Sequence, residues 1–234
     1  NISKKLHFLY IDTGAMYRAI TLRALEKDVN LNNTRVLTDI ARYSRIELSA
    51  NSSGTQRIFL DGKDVTYKIR TPQLTKCVSY IARVKGIREY MVKLQRRLAK
   101  ETNSVLEGRD IGTVVFPDAN IKFYLDASFK ERAKRRFKEL KTHNPHIKLR
   151  DVEEDVEVRD RRDLTRRYAP LKKARDAIYV DTTNLSIREV TDRLLGIINP
   201  KLHLFRRGIG CKVLHEKSRG IPLHRHPTCR QAGG

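Results

Sequence analysis

Short apolar segments alternate with longer amphipathic ones over most of this 234-residue sequence. The segments FLYI, SVLE, IKFYL and AIYVD read as buried strands, and the stretches between them carry apolar residues at helical spacing. Strands that are separated by helices pair in parallel rather than as hairpins. The pattern therefore predicts an α/β fold, in which helices cover both faces of a parallel sheet. Ligands of such sheets bind at the carboxyl ends of the strands, where any site is therefore expected.

One stretch interrupts this alternation. Residues 45–64, RIELSANSSGTQRIFLDGKD, alternate apolar and polar side chains on both sides of a Ser-Ser-Gly turn, and Asp61-Gly62 supplies a second turn. The pattern predicts a small antiparallel insert between helices, and Thr38 to Tyr43 are expected to continue a short helix just before it.

The composition favours a basic protein with anionic partners. Lys and Arg number 49 against 27 Asp and Glu, which gives a formal net charge of +22. No apolar run has the length of a membrane span, and no basic-then-apolar leader opens the sequence. Cys77, Cys211 and Cys229 form neither an even framework nor a CxxC pair, which suits a reducing compartment. We therefore expect a cytoplasmic protein without membrane partners.

Arginines follow several of the predicted strand ends. Arg18 comes after DTG, Arg109 lies inside GRDIG, and RDRRDLTRR contains Arg159, Arg162 and Arg166. A guanidinium group grips phosphate through two parallel hydrogen bonds, and glycines let backbone amides come close. A single arginine after a strand is typical of a solvated surface. Several arginines at neighbouring strand ends together predict a phosphate site.

Asp110 lies between Arg109 and Gly112 at one of these ends and allows two interpretations. It could cap the turn that follows. It could also accept a hydrogen bond from an exocyclic amine, which cytosine offers and uracil does not.

Four long segments together resemble the bacterial cytidylate kinases. They are YIDTGAMYR, IRTPQLTKCVSYIARVKGIREYMVKLQRR, LEGRDIGTVVFPDANIKFYLDASFKERAKRR and RDRRDLTRRYAPLKKARDAIYVDTTNLSI. The resemblance covers residues 1–199 in register, and it implies the nucleoside monophosphate kinase-like P-loop fold. It also implies transfer of the terminal phosphoryl group of ATP, with Mg²⁺, to CMP or dCMP. Residues 45–100 correspond to the monophosphate-binding region, with the antiparallel insert at 45–67, and residues 142–167 to a mobile lid.

The resemblance also implies roles for individual residues. The acceptor phosphate is held by Thr13, Arg18, Arg109 and Arg166. The cytosine is read by Ser79, Arg88 and Asp110, with Asp110 accepting from the amine. The pentose contacts are Arg159 and Asp163, and the residues assigned to catalysis are Arg109, Arg159 and Arg166. The residues on the ATP side of the lid are Arg132, Arg135 and Arg136. No metal ligand is expected.

The family begins with a strand and a phosphate loop, G-x-x-x-x-G-K-[ST], which no part of this sequence matches. We therefore expect an N-terminally truncated chain with little or no kinase activity. The absent strand is the central one in the family's sheet, so a gap is expected between the GRDIG and IKFYLD strands. A domain with such a gap is expected to be unstable or prone to aggregate.

The tail, residues 200–234, extends beyond the resemblance. It holds eight Lys or Arg and a single acid, Glu216, and we predict it to be disordered. Its candidate zinc ligands are Cys211, His215, His224, His226 and Cys229. A disordered extension is the favoured interpretation.

Two other functions fit parts of the sequence. Another nucleoside monophosphate kinase would share the fold, but Asp110 with Arg88 and Ser79 favours cytosine. A basic nucleic-acid-binding protein would explain the charge, but the sequence lacks aromatic stacking motifs and its arginines follow strand ends rather than one stripe. We therefore expect a monomer whose partners are CMP, dCMP and ATP, with no specific nucleic acid.

Overall fold

Two sheets organise the protein. The computed structural model describes residues 2–50, 56–100, 102–142, 144–202 and 212–217. Within these ranges, one sheet has five parallel strands, and a separate sheet has three antiparallel strands. None of the helices in these ranges combines the length and the apolar character that a membrane span needs.

The helices and strands follow the predicted alternation closely. The strands are β1 (Leu9–Asp12), β2 (Ile46–Ala50), β3 (Gln56–Leu60), β4 (Lys63–Asp64), β5 (Ser104–Gly108), β6 (Ile121–Asp126), β7 (Ile178–Asp181) and β8 (Lys212–Lys217). The helices are α1 (Ile2–Leu6), α2 (Thr13–Glu26), α3 (Thr34–Tyr43), α4 (Pro72–Ala82), α5 (Lys85–Ala99), α6 (Phe129–Lys141), α7 (Leu149–Thr165) and α8 (Ile187–Leu202). Single turns of 3₁₀-helix (Lys68–Arg70) and π-helix (Ile111–Val115) complete the set.

Polar side chains start five of these helices, and at α8 the Ser186 hydroxyl oxygen accepts from the Glu189 amide at 3.3 Å. The carboxylate of Asp12 accepts from the Ala15 amide at 2.9 Å at the start of α2, and Asn33, Thr71 and Ser128 cap α3, α4 and α6 in the same way. Each cap satisfies a backbone amide that the first helical turn leaves without a partner, a contribution of about 1 kcal/mol. The cap at Asn33 places the start of α3 at Thr34, four residues before the predicted start at Thr38.

The strands of the larger sheet lie in the order β1-β5-β8-β6-β7. All of them run in the same direction, so the turns after β1, β5 and β6 reach one edge. The three strands β2, β3 and β4 form the antiparallel insert that the sequence predicts. The α/β architecture is therefore confirmed.

The predicted gap in this sheet is filled. Segment β8 lies between β5 and β6, with Val213 paired to Val105 on one side and to Ile121 on the other. Its backbone amide at Lys212 donates to Asn120 Oδ1 at 2.8 Å. The prediction of two unpaired strands is wrong, because this part of the tail supplies their missing partner. Residues 200–202 end α8, and residues 203–211 and 218–234 lie outside the described residues.

Strand β8 also joins the two apolar cores of the protein. Leu214 belongs to the cluster formed by α2, α3 and α5 beneath β1 and β5. Val213 belongs to the other cluster, with Ile121 and Phe123 of β6 and residues of α8. Both side chains are fully buried, and neighbouring residues of a strand face opposite sides of a sheet. One strand therefore packs against the helices on both faces.

The predicted lid contains α7, which is fixed to α6 by a buried ion pair. Arg132 Nη2 of α6 lies 3.0 Å from Asp160 Oδ2 of α7, and Arg132 Nη1 donates to the Ala127 carbonyl. Burial raises the pKa of the Asp160 carboxyl to about 7, against the attraction of Arg132 and Arg109. The ionised form of Asp160 is thus less favourable in the folded protein than in the unfolded chain.

This pKa predicts a stability that depends on pH. The folded pKa of Asp160 is raised, so its contribution is present at low pH and is lost as the pH rises towards 7. The variant Asp160→Asn cannot ionise at this position. The free energy of unfolding of the variant minus that of wild type is therefore expected to be larger at pH 8 than at pH 5. Urea unfolding of both proteins at the two pH values measures the difference. A difference that stays constant, or one that shrinks, would contradict the raised pKa.

Candidate active site

The turn after β1 fixes an arginine at the edge of the larger sheet where the strands end. Asp12 caps α2 with one carboxylate oxygen and accepts from Arg18 Nη2 at 2.9 Å with the other. The Arg18 Nε atom is buried and has no hydrogen-bond partner among the described residues. Gly14 lies against this pair, since a β-carbon there would be 3.1 Å from both Arg18 Nη1 and Asp12 Oδ1. The geometry therefore makes Asp12 and Gly14 the residues that shape this turn.

Thr13 connects the β1 turn to the end of β5. Its buried hydroxyl group donates to the Glu107 carbonyl oxygen at 2.7 Å. The contact requires a glycine at position 108, because a β-carbon there would overlap Thr13 Oγ1. The hydroxyl oxygen keeps its capacity to accept a further hydrogen bond.

Replacing Gly108 by alanine tests this contact. We expect Gly108→Ala to displace Thr13 and to lower the free energy of unfolding by about 1–3 kcal/mol, the usual cost of overpacking. The matched control is Gly196→Ala in α8, where a β-carbon meets nothing within 4 Å and alanine should stabilise the helix by about 1 kcal/mol. Urea unfolding measures both effects. Equal behaviour of the two variants would mean that Thr13 is not held as described.

Asp110 is buried beside two arginines. Arg88 of α5 forms an ion pair with Asp110 Oδ2 and donates to the Ala82 carbonyl at 2.9 Å. Arg166, just after α7, places Nη2 at 4.0 Å from Asp110 Oδ1. Asp110 precedes the π-helical turn, but its side chain makes no capping hydrogen bond there. The structure therefore gives Asp110 no capping hydrogen bond, and its contact with an exocyclic amine stays a prediction.

The charged groups around Asp110 are buried and therefore shielded from water. Tyr17 is buried below Arg88, with its ring centre 5.6 Å from the guanidinium carbon, and burial raises the pKa of Tyr17 to about 12. Burial and the positive charge of Arg88 lower the pKa of Arg166. Arg166 Nη2 is buried and lacks a hydrogen-bond partner among the described residues. A buried donor without a partner costs free energy, which an anionic ligand would recover.

A second group of charges lies next to Asp163. Arg109 Nε lies 3.7 Å from Asp163 Oδ2, and Arg166 Nη1 lies 3.5 Å from Asp163 Oδ1. Arg159 is exposed as a whole residue, but the protein around it partly desolvates its guanidinium group. This desolvation, with the positive charges of Arg109, Arg136 and Arg18, lowers the pKa of Arg159 to about 10. Arginines of α2, α6 and α7 and of the turn after β5 therefore lie close enough to act on one another, and they form one region of positive charge at this edge of the sheet.

Ser79 borders an open cleft of about 1040 Å³ beside this region. The cleft runs between α3, the α4–α5 turn and the end of α7, and Asp163 and Arg166 also line it. Ser79 Oγ accepts from Arg162 Nη1 at 3.1 Å. The predicted acceptor residues are therefore spread over the buried Asp110 cluster, the arginines at the sheet edge and the inner wall of this cleft.

All three arginines predicted on the ATP side contact protein groups. Arg132 pairs with Asp160, as described above. Arg135 donates to the Thr182 carbonyl at 2.6 Å and also contacts the Leu185 carbonyl, so it holds the loop between β7 and α8. Arg136 is paired with Glu139 on its own helix and faces Arg159. Of these three, Arg136 is the one that adds its charge to the region of positive charge at the sheet edge.

Sequence patterns alone do not identify two groups of the site, the Tyr17 ring and the Glu107 carbonyl. They also do not predict the partner of Arg162. Tyr17 lies beneath Arg88, although its place inside YIDTGAMYR is a usable signal. The Glu107 carbonyl carries no signal that a sequence could show. Arg162 is one of the phosphate candidates, and the structure places it on Ser79.

The candidate zinc ligands are not brought together in the described part of the chain. Cys211, His224, His226 and Cys229 lie outside the described residues, and His215 lies within β8. Elsewhere in the described ranges, no group of three or more His, Cys, Asp or Glu residues could hold a metal ion.

Comparisons with known proteins agree on one family. The family model described as "Cytidylate kinase" matches residues 1–200. The cytidylate kinase of Lactobacillus gasseri is 46% identical over 200 residues, which cover 86% of each chain. That of Bacillus licheniformis is 45% identical over 200 residues, covering 86% of this chain and 88% of its own. The bifunctional pantoate ligase/cytidylate kinase of a Synechococcus species is 44% identical over 196 residues, which are 83% of this chain and 36% of that protein.

Proposed function

Because this chain belongs to the cytidylate kinase family, we propose that its site binds CMP or dCMP as the acceptor of a phosphoryl group from ATP. The observation that carries the proposal is the buried carboxylate of Asp110 between Arg88 and Arg166. An ionised carboxylate only accepts hydrogen bonds, so it suits the exocyclic amine of cytosine and disfavours the O4 carbonyl of uracil. Ser79 and Arg88 would complete the contacts to the base.

The arginines at the sheet edge would hold the acceptor phosphate. Arg18 Nε and Arg166 Nη2 are buried donors without hydrogen-bond partners among the described residues, and Arg109 is held beside them by Asp163. A phosphate group would satisfy both donors and neutralise the crowded positive charge. The Thr13 hydroxyl lies at the same edge, and it would donate to the phosphate by turning its hydrogen away from the Glu107 carbonyl.

Asp163 and Arg159 would contact the pentose, which leaves the 2′ position free for either ribose or deoxyribose. Asp163 is already fixed by Arg109 and Arg166, so the sugar contact and the phosphate contacts form one network. Phosphoryl transfer requires little covalent chemistry from the protein, and in-line positioning with charge neutralisation supplies most of the rate. The proposed catalytic role of Arg109, Arg159 and Arg166 is this neutralisation.

The donor side of the reaction requires ATP with Mg²⁺. These 234 residues contain no G-x-x-x-x-G-K-[ST] run, the motif whose backbone amides, lysine and hydroxyl group hold the ATP phosphates and Mg²⁺. We therefore propose that this chain forms the acceptor half of the kinase. It is expected to bind CMP and to transfer phosphate poorly without a loop that cradles the ATP phosphates.

We further propose a cytoplasmic monomer. All of the acceptor contacts described above come from one chain, so the site needs no residue from a second copy. Light scattering of the purified protein, with and without CMP, measures its mass directly. A dimer that forms only with CMP would contradict this part of the proposal.

Thermal unfolding with added nucleotides tests the acceptor proposal. A ligand that binds only the folded state raises the unfolding temperature, and at equal concentration the tighter ligand raises it more. We expect CMP and dCMP to raise it by several degrees at millimolar concentration, and AMP to have a much smaller effect. An equal shift with AMP would favour another nucleoside monophosphate kinase, and an equal shift with inorganic phosphate would reduce the site to a phosphate site.

A turnover assay tests the donor proposal separately. The 234-residue protein is incubated with ATP, Mg²⁺ and CMP, with the Bacillus licheniformis cytidylate kinase as the positive control. We expect CDP formation close to that of a protein-free reaction. CDP formation at a rate close to that of the control enzyme would show that the 234-residue chain contains a complete donor site.

A further inference from the structure

The open cleft beside Ser79 carries an excess of positive charge. Seven Lys or Arg residues line it against two Asp residues, a larger proportion than in the whole chain, which has 49 Lys or Arg against 27 Asp or Glu. The seven are Arg35, Arg42, Arg83, Lys85, Arg162, Arg166 and Arg167. Among them, Arg166 belongs to the buried cluster around Asp110. The other lining cations have no part in the proposed acceptor site.

Four of these arginines are exposed and form no ion pair with a carboxylate of the described residues. They are Arg35 of α3, Arg83 between α4 and α5, Arg162 near the end of α7 and Arg167 just after it. Arg83 donates to the neutral Asn32 Oδ1 atom at 2.6 Å. Arg162 donates to the Ser79 hydroxyl oxygen at 3.1 Å. A guanidinium group has several N–H donors, so each of the four keeps donors available for an anion.

Two tyrosine rings hold cations at the surface of the cleft. Tyr80 and Tyr168 both line it, and each ring has two cationic groups within 6.0 Å of its centre. The cations are Arg83 and Arg162 on Tyr80, and Lys85 and Arg167 on Tyr168. Attraction to a ring face is worth about 0.5–1 kcal/mol at an exposed site, and it restricts the directions in which each side chain points. The cleft therefore presents cations that are partly ordered before any ligand binds.

The size and chemistry of the cleft suit one strand of a nucleic acid. Its volume of about 1040 Å³ is at the upper end of the range of about 300–1000 Å³ that is usual for small-molecule sites. Its cations come from separate elements, with Arg35 on α3 and Arg167 after α7, so they can contact successive phosphates of an extended chain. Basic grooves with aromatic and arginine side chains are the usual sites for single strands. A duplex is a convex cylinder, which could touch these cations only from outside the cleft.

We propose that this cleft binds single-stranded nucleic acid through its phosphates, without reading the bases. Contacts of arginine with phosphate supply affinity that does not depend on sequence. This inference goes beyond the proposed function, because it concerns the outer lining of the cleft, which the acceptor contacts do not use. It also gives a physical role to part of the net charge of +22, which transfer of one phosphoryl group does not require.

The chain offers a matched pair of double variants. Arg35→Ala with Arg167→Ala removes two exposed arginines from the cleft. Arg175→Ala with Arg188→Ala removes two exposed arginines that do not line it, one just before β7 and one on α8. Both double variants lower the net charge by the same amount. The difference between them therefore separates the cleft from the overall charge of the protein.

Fluorescence anisotropy of a labelled oligouridylate of about 12 nucleotides, titrated with the full chain, tests the inference. At about 0.1 M salt we expect the cleft variant to bind at least about tenfold more weakly than wild type, and the control variant to stay within about twofold of it. The logarithm of the affinity falls with the logarithm of the salt concentration by about 0.7 for each phosphate contact. The slope of the cleft variant should therefore be shallower by about 1.4, and that of the control variant should not change. The unfolding temperature of each variant shows whether it is folded.

Three results would overturn the inference. Equal weakening in the two double variants would assign the binding to the overall charge of the protein. Displacement of the oligouridylate by an equal concentration of poly-glutamate of the same length would make the cleft a site for acidic proteins. Absence of binding to the folded wild-type protein would leave the cleft without this ligand. The assay contains no CMP, so none of these results affects the proposed acceptor site.

Discussion

The variant Leu214→Asp is expected to lose most of the stability of the protein. Leu214 is fully buried in the central strand β8, against the helices beneath β1 and β5. A carboxylate there would be desolvated without a partner, or would be protonated at a cost, so the free energy of unfolding should fall by roughly 4 kcal/mol or more. Urea unfolding followed by circular dichroism measures the change. Val213→Asp, on the other face of the same strand, should have a comparable effect.

The control for these variants is Ile187→Asp at the start of α8. Ile187 is 74% exposed, so aspartate there should change the unfolding free energy by less than about 0.5 kcal/mol. Because β8 packs against both apolar cores, the wild-type protein is expected to unfold in one cooperative transition. If Leu214→Asp unfolded like wild type, the tail segment would not occupy the slot between β5 and β6.

The largest effect on ligand binding is expected for Asp110→Asn. The substitution removes the charge that pairs with Arg88, which leaves a buried guanidinium without its partner. CMP affinity should fall about a hundredfold, in the range measured when one member of a buried charge pair is removed. An asparagine amide can both accept and donate, so the preference for CMP over UMP should also disappear. Titration calorimetry with both nucleotides measures the two effects.

Asp192→Asn is the matched control for this variant. Asp192 lies on α8 outside the cleft, its side chain is 52% exposed, and it pairs with Lys5 of α1 at 2.9 Å. Its loss should leave nucleotide binding unchanged. Asp110→Asn with its CMP preference intact would show that another group reads the base.

The sequence is most informative about local structure. The strands at β1, β5, β6 and β7 lie within one residue of their predicted ends, because apolar runs bounded by turn residues are local signals. The helix α3 starts earlier than its apolar spacing predicts, because Asn33 caps it. The antiparallel insert follows from its alternation and its Asp61-Gly62 turn, and the structure confirms it.

Strand β8 could not be predicted from its own residues. The segment KVLHEK has two central apolar residues and no strong strand pattern, and its partners lie about a hundred positions earlier in the chain. Its pairing becomes favourable only once β5 and β6 are placed with a slot between them. Tertiary context therefore decides the structure of this segment.

In the candidate site too, the residues can be identified from motifs, whereas their long-range contacts cannot. Motifs identify Asp110 and Arg88, and the structure brings them into contact. The actual contacts of Arg135 are not foreseeable, because its carbonyl partners lie about fifty residues further along the chain and carbonyls leave no trace in a sequence. Which arginines face the cleft and which bind the fold is a property of the packing.

Acceptance of CMP at this site is the proposal on which the assigned residue roles depend, and calorimetric titration of the wild-type protein with CMP and UMP decides it. We expect one binding site per chain and CMP affinity at least about tenfold higher than UMP affinity. Equal affinities for the two nucleotides, or no binding of CMP to folded protein, would show that the site does not select cytosine.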